Sequence, residues 1–234
     1  MAIFLQRQVE KVKKMLLTLA GVSEEAMHDA VRSVLERDAD LGRSVLARAA
    51  QLDQARVSLE EECLHTLALH QPVAFDLRFV VAVLKIASDL HRIGQHATNV
   101  AEAGVALTHL PVLDRWPVDV RAMADQALGM LDKSLASLVQ VDADRARAVR
   151  SADDRVDAMN RRMYADVITA MRSQPDRLEQ LMLLSGVSRQ IERVADHACN
   201  IAADVIYLAD GEVVRPAGFE PASEFPPQPG RSSA

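Results

Sequence analysis

An internal repeat constrains this 234-residue chain more than any other feature. The stretch LHRIGQHATN at 90–99 corresponds to IERVADHACN at 191–200, at an offset of 101 residues. Asp-Ala-Asp at 38–40 likewise corresponds to Asp-Ala-Asp at 142–144, at an offset of 104. Apolar residues around both copies recur in alternating steps of three and four, which is the spacing of one helix face. Any fold of this chain must therefore accommodate a duplicated helical unit.

Each half of the chain is predicted to form three helices. Pro72 and Pro175 stand at the last break of each half, where proline is tolerated in a first helical turn. Single apolar stripes are typical of antiparallel bundles, in which each helix buries one seam. We therefore expect an all-α protein of two tandem three-helix bundles, that is, six long antiparallel helices. The predicted helices are approximately 3–37, 38–70, 73–103, 118–141, 142–173 and 176–210.

Composition supports this organisation and suggests boundaries. Apolar residues make up 49% of the chain and aromatics only 3%, a balance that favours helices over β-sandwiches. We expect a first repeat over 1–104, a linker over 105–117 and a second repeat over 118–210. The remaining segment, 211–234, is rich in Pro and Gly and is predicted to be disordered.

Charge, cysteines and hydropathy exclude several classes of protein. A net charge of −6 disfavours direct binding to nucleic acid, which normally requires a basic face. Cys63 and Cys199 are too few for a disulfide scaffold, so a reducing compartment is expected, and Cys63 has core spacing. The basic and apolar stretch at 11–22 resembles a signal peptide, but the helical stripe continues through it. No stretch approaches the roughly 18 apolar residues of a membrane span.

Four acids in the second half form the strongest candidate site. Asp153 and Asp157 lie four apart on the fifth predicted helix, as do Glu192 and Asp196 on the sixth. Residues four apart share a helix face. Asp153 with Asp196, and Asp157 with Glu192, are each centred on the break at Pro175, so an antiparallel hairpin places all four at one level. Clustered carboxylate oxygens suit hard or borderline cations such as Mg²⁺, Mn²⁺ or iron.

The first half is an internal control for this site. Its equivalent positions are centred on Pro72 in the same way and hold Ala49, Asp53, His91 and Gln95. The geometry is duplicated, but three of the four acids are missing. We therefore predict metal binding in the second half and weak or no binding in the first.

Surface ion pairing is the alternative interpretation of the four acids. Arginines three or four residues away on the same helices could neutralise them, in exposed pairs worth only tenths of a kcal/mol. The arginines concerned are Arg150, Arg161, Arg189 and Arg193.

Two further groups of residues could carry other chemistry. Glu-x-x-His at 25–28 and at 62–65 matches an element of ferritin-like di-iron bundles, which makes an oxidase or ferroxidase the alternative function. His96 and His197 follow the acid positions of both repeats, and we expect a structural polar role for them rather than metal ligation.

Three stretches also resemble a known family. QPVAFDLR at 71–78, KIASDLHRIGQHATNVAE at 85–102 and IERVADHACNIA at 191–202 resemble the PhoU family of phosphate-transport regulators. The similarity spans approximately residues 5–210 and both repeats. It implies tandem three-helix bundles in a cytoplasmic homodimer, and a non-enzymatic negative regulator. The implied partners are the ATPase subunit of a phosphate ABC transporter and a membrane sensor histidine kinase, through which phosphate-starvation genes are kept off.

The resemblance also implies a cofactor. The family carries paired D/E-x-x-x-D motifs on neighbouring helices, and these bind metal, including multinuclear iron clusters. The motifs match the second-half acids in full, whereas only Asp53 remains in the first half. The expected cofactor is one or more divalent or trivalent ions, with iron, manganese, magnesium and zinc as the candidates.

Overall fold

The computed structural model describes residues 2–113, 116 and 119–211, and every secondary-structure element in that part of the chain is helical. The first repeat contains α1 (Ala2–Glu36), α2 (Ala39–His70) and α3 (Ala74–Thr108). The second contains α4 (Val120–Gln140), α5 (Ala143–Arg150), α6 (Asp153–Ser173), a 3₁₀ turn (Pro175–Arg177) and α7 (Leu178–Asp210). The predicted all-α architecture of two similar helical units is confirmed.

Side-chain caps explain where several helices begin. Asp38 accepts a hydrogen bond from the backbone N–H of Leu41 at 2.9 Å, and Asp142 accepts one from Arg145 at 3.0 Å. Asp119 begins α4 in the same way. Each carboxylate satisfies an N–H that has no partner within its own helix. The duplicated Asp-Ala-Asp motif therefore marks the same helix start in both repeats.

The fifth predicted helix differs from the structure. It was expected to run without a break over 142–173, but a turn at Ser151 and Ala152 divides it into α5 and α6. The break places Asp153 and Asp154 in the first turn of α6, where negative charge is favoured by the helix dipole. Asp153 and Asp157 nevertheless remain on one helix, four residues apart.

The third predicted helix is longer than expected. It continues to Thr108 rather than ending near 103, because Gly104 packs against α1 and Leu107 is buried. The predicted linker therefore begins with a helical turn. The expectation of a disordered tail concerns residues almost all of which lie outside the described part of the chain.

The two repeats pack through equivalent helices. α3 contacts α7 along much of its length, and α1 contacts α4, while α2 and α6 lie at the outside against α3 and α7. The largest fully buried side chains include Leu16, Leu59 and Leu90 in the first repeat and Leu131 and Leu181 in the second. One continuous apolar core therefore runs through both repeats. Within the described residues, no helix is sufficiently long and apolar to cross a membrane.

Candidate metal centre

The four predicted acids lie on the α6–α7 hairpin. Asp153 and Asp157 belong to α6, Glu192 and Asp196 belong to α7, and the two helices pack antiparallel. Asp196 is exposed and the other three are partly buried. The 3₁₀ turn that begins at Pro175 reverses the chain between them.

Electrostatics shows that these carboxylates are neighbours. Burial raises the pKa of Asp153, Glu192 and Asp196 above the usual values, and the charges of the other acids raise them further. The negative charge of Asp157 contributes to all three shifts, so it acts on both acids of α7 as well as on Asp153. These three acids therefore carry a like-charge cost that a cation would relieve.

The side chains do not converge on one point. No three of the four place ligand atoms within 4.8 Å of one another; among the described residues the one such group is Glu24, His28 and Asp132. Mutual repulsion favours rotamers that separate like charges. The position and oxygen chemistry of the four acids fit a hard cation, but ligation of one ion requires side-chain rotation.

Ion pairing accounts for little of this cluster. Arg161 lies 3.7 Å from Asp157, in an exposed pair on α6. The remaining three acids have no Lys or Arg nitrogen within 4.0 Å among the described residues. The alternative of four surface ion pairs therefore applies to one acid of four.

Cys199 lies near the acid cluster and is affected by its charge. The charge of Asp153 acts on its thiol. Burial and the nearby carboxylate raise the pKa of this thiol to about 12. Cys199 is therefore a protonated thiol at neutral pH and not a reactive thiolate.

In the first repeat a side-chain contact occupies the position that is equivalent to the four acids of the second repeat. His91 Nε2 of α3 lies 2.6 Å from Asp53 Oδ1 of α2, so these residues do stand at the same level. A cavity of about 380 Å³ adjoins them and is lined by Ala49 and Gln95 among others. The single carboxylate is already paired, which supports weak or no metal binding here.

A polar cluster between the repeats was not predicted. His96 Nδ1 lies 2.6 Å from Gln190 Oε1, and His197 Nδ1 lies 2.7 Å from Asp89 Oδ1. These contacts join α3 to α7, so both histidines have the structural polar role that was expected. The shared histidines at matching positions were the signal for this interface, but the pattern did not identify their partners.

The Glu-x-x-His elements do not form a di-iron site. Glu25 lies 3.5 Å from Arg48, and Glu62 lies 2.5 Å from Lys11. Both acids are therefore held by cations on neighbouring helices, and neither joins His28 or His65 in a group of three ligands within the described residues.

The fold and the site together define a two-repeat helical-bundle protein with oxygen donors grouped on its second hairpin. A model of the PhoU domain matches residues 16–104 and 120–205, one match per repeat. The chain therefore belongs to the PhoU family.

Individual relatives agree with this assignment. The chain is 33% identical over 213 residues to the phosphate-specific transport system accessory protein PhoU homolog of Pseudomonas putida. The aligned region covers 91% of this chain and 83% of that protein. The crystal structure of PhoU from Pseudomonas aeruginosa matches with a TM-score of 0.86 and 32% identity, over 88% of this chain and 99% of that one. The phosphate transport system regulatory protein PhoU from Streptococcus pneumoniae matches with a TM-score of 0.82 and 23% identity, over 90% of this chain and 99% of that one, and supports the fold alone.

Family membership decides between the two functions considered from the sequence. The chain belongs to a family whose matched relatives are named as accessory proteins of a phosphate-specific transport system, and it is not an enzyme. The alternative of a ferritin-like di-iron enzyme is therefore wrong.

Proposed function

We propose that this protein is a cytoplasmic negative regulator of phosphate uptake and of the phosphate-starvation response. It acts by docking on the ATPase subunit of a phosphate ABC transporter and on a sensor histidine kinase, as a homodimer. Family membership supports the link to phosphate transport, because the relatives carry that description. The duplicated rigid helical scaffold suits docking, since its long helices present fixed surfaces.

The observation that carries the metal part of the proposal is the mutual repulsion of Asp153, Asp157, Glu192 and Asp196 across α6 and α7. These four residues would hold the ion. A bound cation would supply positive charge that cancels the repulsion and fixes the outer face of the second repeat. The metal therefore acts on the shape and charge of the surface, and it stabilises the form that docks.

Exposed apolar side chains suggest where a partner docks. Leu69, Val73, Phe75 and Leu77 surround the α2–α3 turn, and Val73 is 75% exposed. Clustered apolar groups on a surface are typical of interaction sites. Tyr164, Leu178 and Met182 lie near the corresponding α6–α7 turn and are exposed as well. We propose that these two turns form the contact surface for the transporter ATPase.

Coupling between metal and docking is tested with Glu192→Gln/Asp196→Asn. The affinity of each protein for the purified ATPase is measured with and without Mn²⁺, and metal content is measured in parallel. The double variant should lose the Mn²⁺ held by the four acids and bind the ATPase at least about tenfold more weakly, a loss of about 1.4 kcal/mol. Asp53→Asn is the matched control and should change neither the Mn²⁺ content nor the affinity for the ATPase. Unchanged ATPase binding after loss of the Mn²⁺ at these four acids would refute the coupling.

The docking surface and the regulatory role need separate tests. Val73→Asp should weaken ATPase binding, whereas Val112→Asp, at a residue 63% exposed beyond the opposite end of α3, should not. Deletion of the gene should switch on phosphate-starvation genes in phosphate-rich medium. Normal repression in the deletion strain would contradict the regulatory proposal.

A further inference from the structure

A second group of metal-ligating side chains lies between the repeats, away from the α6–α7 acids. Glu24 and His28 are four apart on α1 and share one face, and Asp132 projects from α4. One ligand atom from each residue lies within 4.8 Å of the other two. We propose that these three residues bind one divalent transition-metal ion, of which Zn²⁺ is the representative.

The distances suit a small ion. His28 Nε2 lies 3.6 Å from Asp132 Oδ1. Two ligands of a tetrahedral zinc ion, each about 2.0 Å from the metal, stand about 3.3 Å apart. This His28–Asp132 pair therefore needs to close by only a few tenths of an ångström, and the Glu24 oxygen lies within 4.8 Å of both. One imidazole nitrogen and two carboxylate oxygens make up a donor set that zinc accepts.

The charge around the site also favours a cation. One carboxyl oxygen of Glu24 lies within 4.8 Å of one of Asp132, where two negative charges repel. Within the described residues His28 is the one basic group within 4.0 Å of either carboxylate. Glu25, the next acid, is instead directed to Arg48 at 3.5 Å. A divalent ion would neutralise both carboxylates and use the neutral imidazole as a ligand.

Solvent can reach the site. The side chains of His28 and Asp132 are 45% and 49% exposed. Three protein ligands leave a fourth tetrahedral position for water or for an acidic group of another molecule. An ion can therefore enter and leave without opening the core.

The internal repeat does not produce a second copy of the site formed by Glu24, His28 and Asp132, because the two repeats differ at these positions. At the repeat offset of 104, Asp132 is the counterpart of His28, and Leu128 is the counterpart of Glu24. α1 and α4 pack together, so the two counterparts meet across the junction and supply different donor atoms. A metal ion at this position would link the first repeat to the second. This inference does not depend on the four-carboxylate site or on the proposed function.

Zinc binding by the purified full-length chain tests the proposal. The measurement is made in a Glu192→Gln/Asp196→Asn background, which removes the other candidate site. Equilibrium dialysis against Zn²⁺ should give one bound equivalent in this background. Adding His28→Gln, or separately Asp132→Asn, should weaken the binding at least about tenfold. His65→Gln and Asp125→Asn, at exposed residues outside the group, are the matched controls and should leave it unchanged.

Thermal unfolding supplies a second readout. Zn²⁺ at about one hundred times its Kd should raise the Tm of the background protein by about 5 °C, because the ion joins two repeats of the folded state. The shift should disappear with His28→Gln. Zinc affinity that stays within twofold after both substitutions overturns the proposal, as does a background protein that binds no zinc.

Discussion

The rings of His96 and His197 stack across the junction of the two repeats, with centroids 5.3 Å apart and an angle of 27° between their planes. The two residues occupy equivalent positions in the repeat, one on α3 and one on α7. Their partners are also equivalent in position but differ in charge, because His96 meets neutral Gln190 and His197 meets Asp89. The duplicated scaffold is thus conserved between the repeats while the charges carried on it differ.

This stack predicts a dependence of stability on pH. Burial lowers the pKa of His96 below its usual value of 6.5, and positive charge from His197, Arg193 and Arg92 acts in the same direction. Above that pH the imidazole is neutral in both states and contributes nothing. As the pH falls below 6.5, the unfolded state takes up the proton first, so the free energy of unfolding decreases.

Urea unfolding of wild type and His96→Gln at pH 7.5 and pH 5.5 checks this prediction. Any advantage of the wild type at pH 7.5 should shrink at pH 5.5, because the variant lacks the group that titrates. A difference between the two proteins that stays the same at both pH values would show that His96 is not the cause.

Removing the Lys85 cation that contacts Asp204 should have a large effect on stability, although the Lys85 side chain is partly exposed. The Asp204 side chain is only 5% exposed and Lys85 Nζ is its partner across α3 and α7. Lys85→Met should lower the free energy of unfolding by about 2 kcal/mol at neutral pH, because a buried carboxylate is left without its cation. Acidification should narrow this difference, since burial raises the pKa of Asp204 and the acid protonates more readily.

An exposed ion pair supplies the matched control. Arg43 lies 2.5 Å from Asp40, with side chains 57% and 92% exposed. Arg43→Met should change stability by about 0.5 kcal/mol or less. Equal losses in both variants, measured by urea unfolding at pH 7.5, would contradict the structural role of the Lys85 contact.

Two helical glycines should respond to alanine in opposite directions. A Cβ at Gly104 would lie 2.3 Å from Ser33 Oγ and 3.2 Å from backbone atoms of Ser33 and Val34, so α1 and α3 must separate. Gly104→Ala should therefore destabilise the protein by about 1–3 kcal/mol. Gly186 has no atom within 4 Å of an added Cβ, and Gly186→Ala should stabilise by about 0.5–1 kcal/mol. Thermal denaturation of the two single variants distinguishes close helix packing from a general effect of glycine.

The lost acids of the first repeat predict a gain of function. Asp53 and His91 are 2.6 Å apart, so this hairpin already brings equivalent positions to one level. Introducing Ala49→Asp, His91→Glu and Gln95→Asp together should create a second carboxylate site. Titration with Mn²⁺ should then give more bound ions than in the wild type. An unchanged stoichiometry in a folded triple variant would mean that the level of the acids is not sufficient.

The helices, and the equal height of the four acids along the α6–α7 hairpin, could be predicted well from the sequence, because both follow from local periodicity. Asp153 and Asp196 could be placed together from their equal distances to Pro175 alone. The break at Ser151 could not be predicted in the same way, since no proline or glycine marks it. The packing between the repeats could not be predicted from the sequence either. The pairing of Lys85 with Asp204 depends on how the two helices are rotated about their axes, which a stripe of apolar residues fixes only loosely.

The group of Glu24, His28 and Asp132 shows the same limit more clearly. The spacing drew attention to Glu25 with His28, a common element of di-iron proteins. The structure instead directs Glu25 to Arg48 and places Glu24 beside His28. Asp132 comes from the other repeat, so no count within one helical hairpin could have found it.

Metal stoichiometry tests the central claim, that the second repeat and not the first carries the carboxylate metal site. Bound manganese and iron are measured after equilibrium dialysis of wild type, Glu192→Gln/Asp196→Asn and Asp53→Asn, with circular dichroism to verify folding. The second-repeat variant should bind less metal than the wild type, by the amount that the four acids hold, while Asp53→Asn retains the wild-type amount. Full retention of metal by a folded Glu192→Gln/Asp196→Asn protein, or its loss on changing Asp53 alone, would contradict the claim.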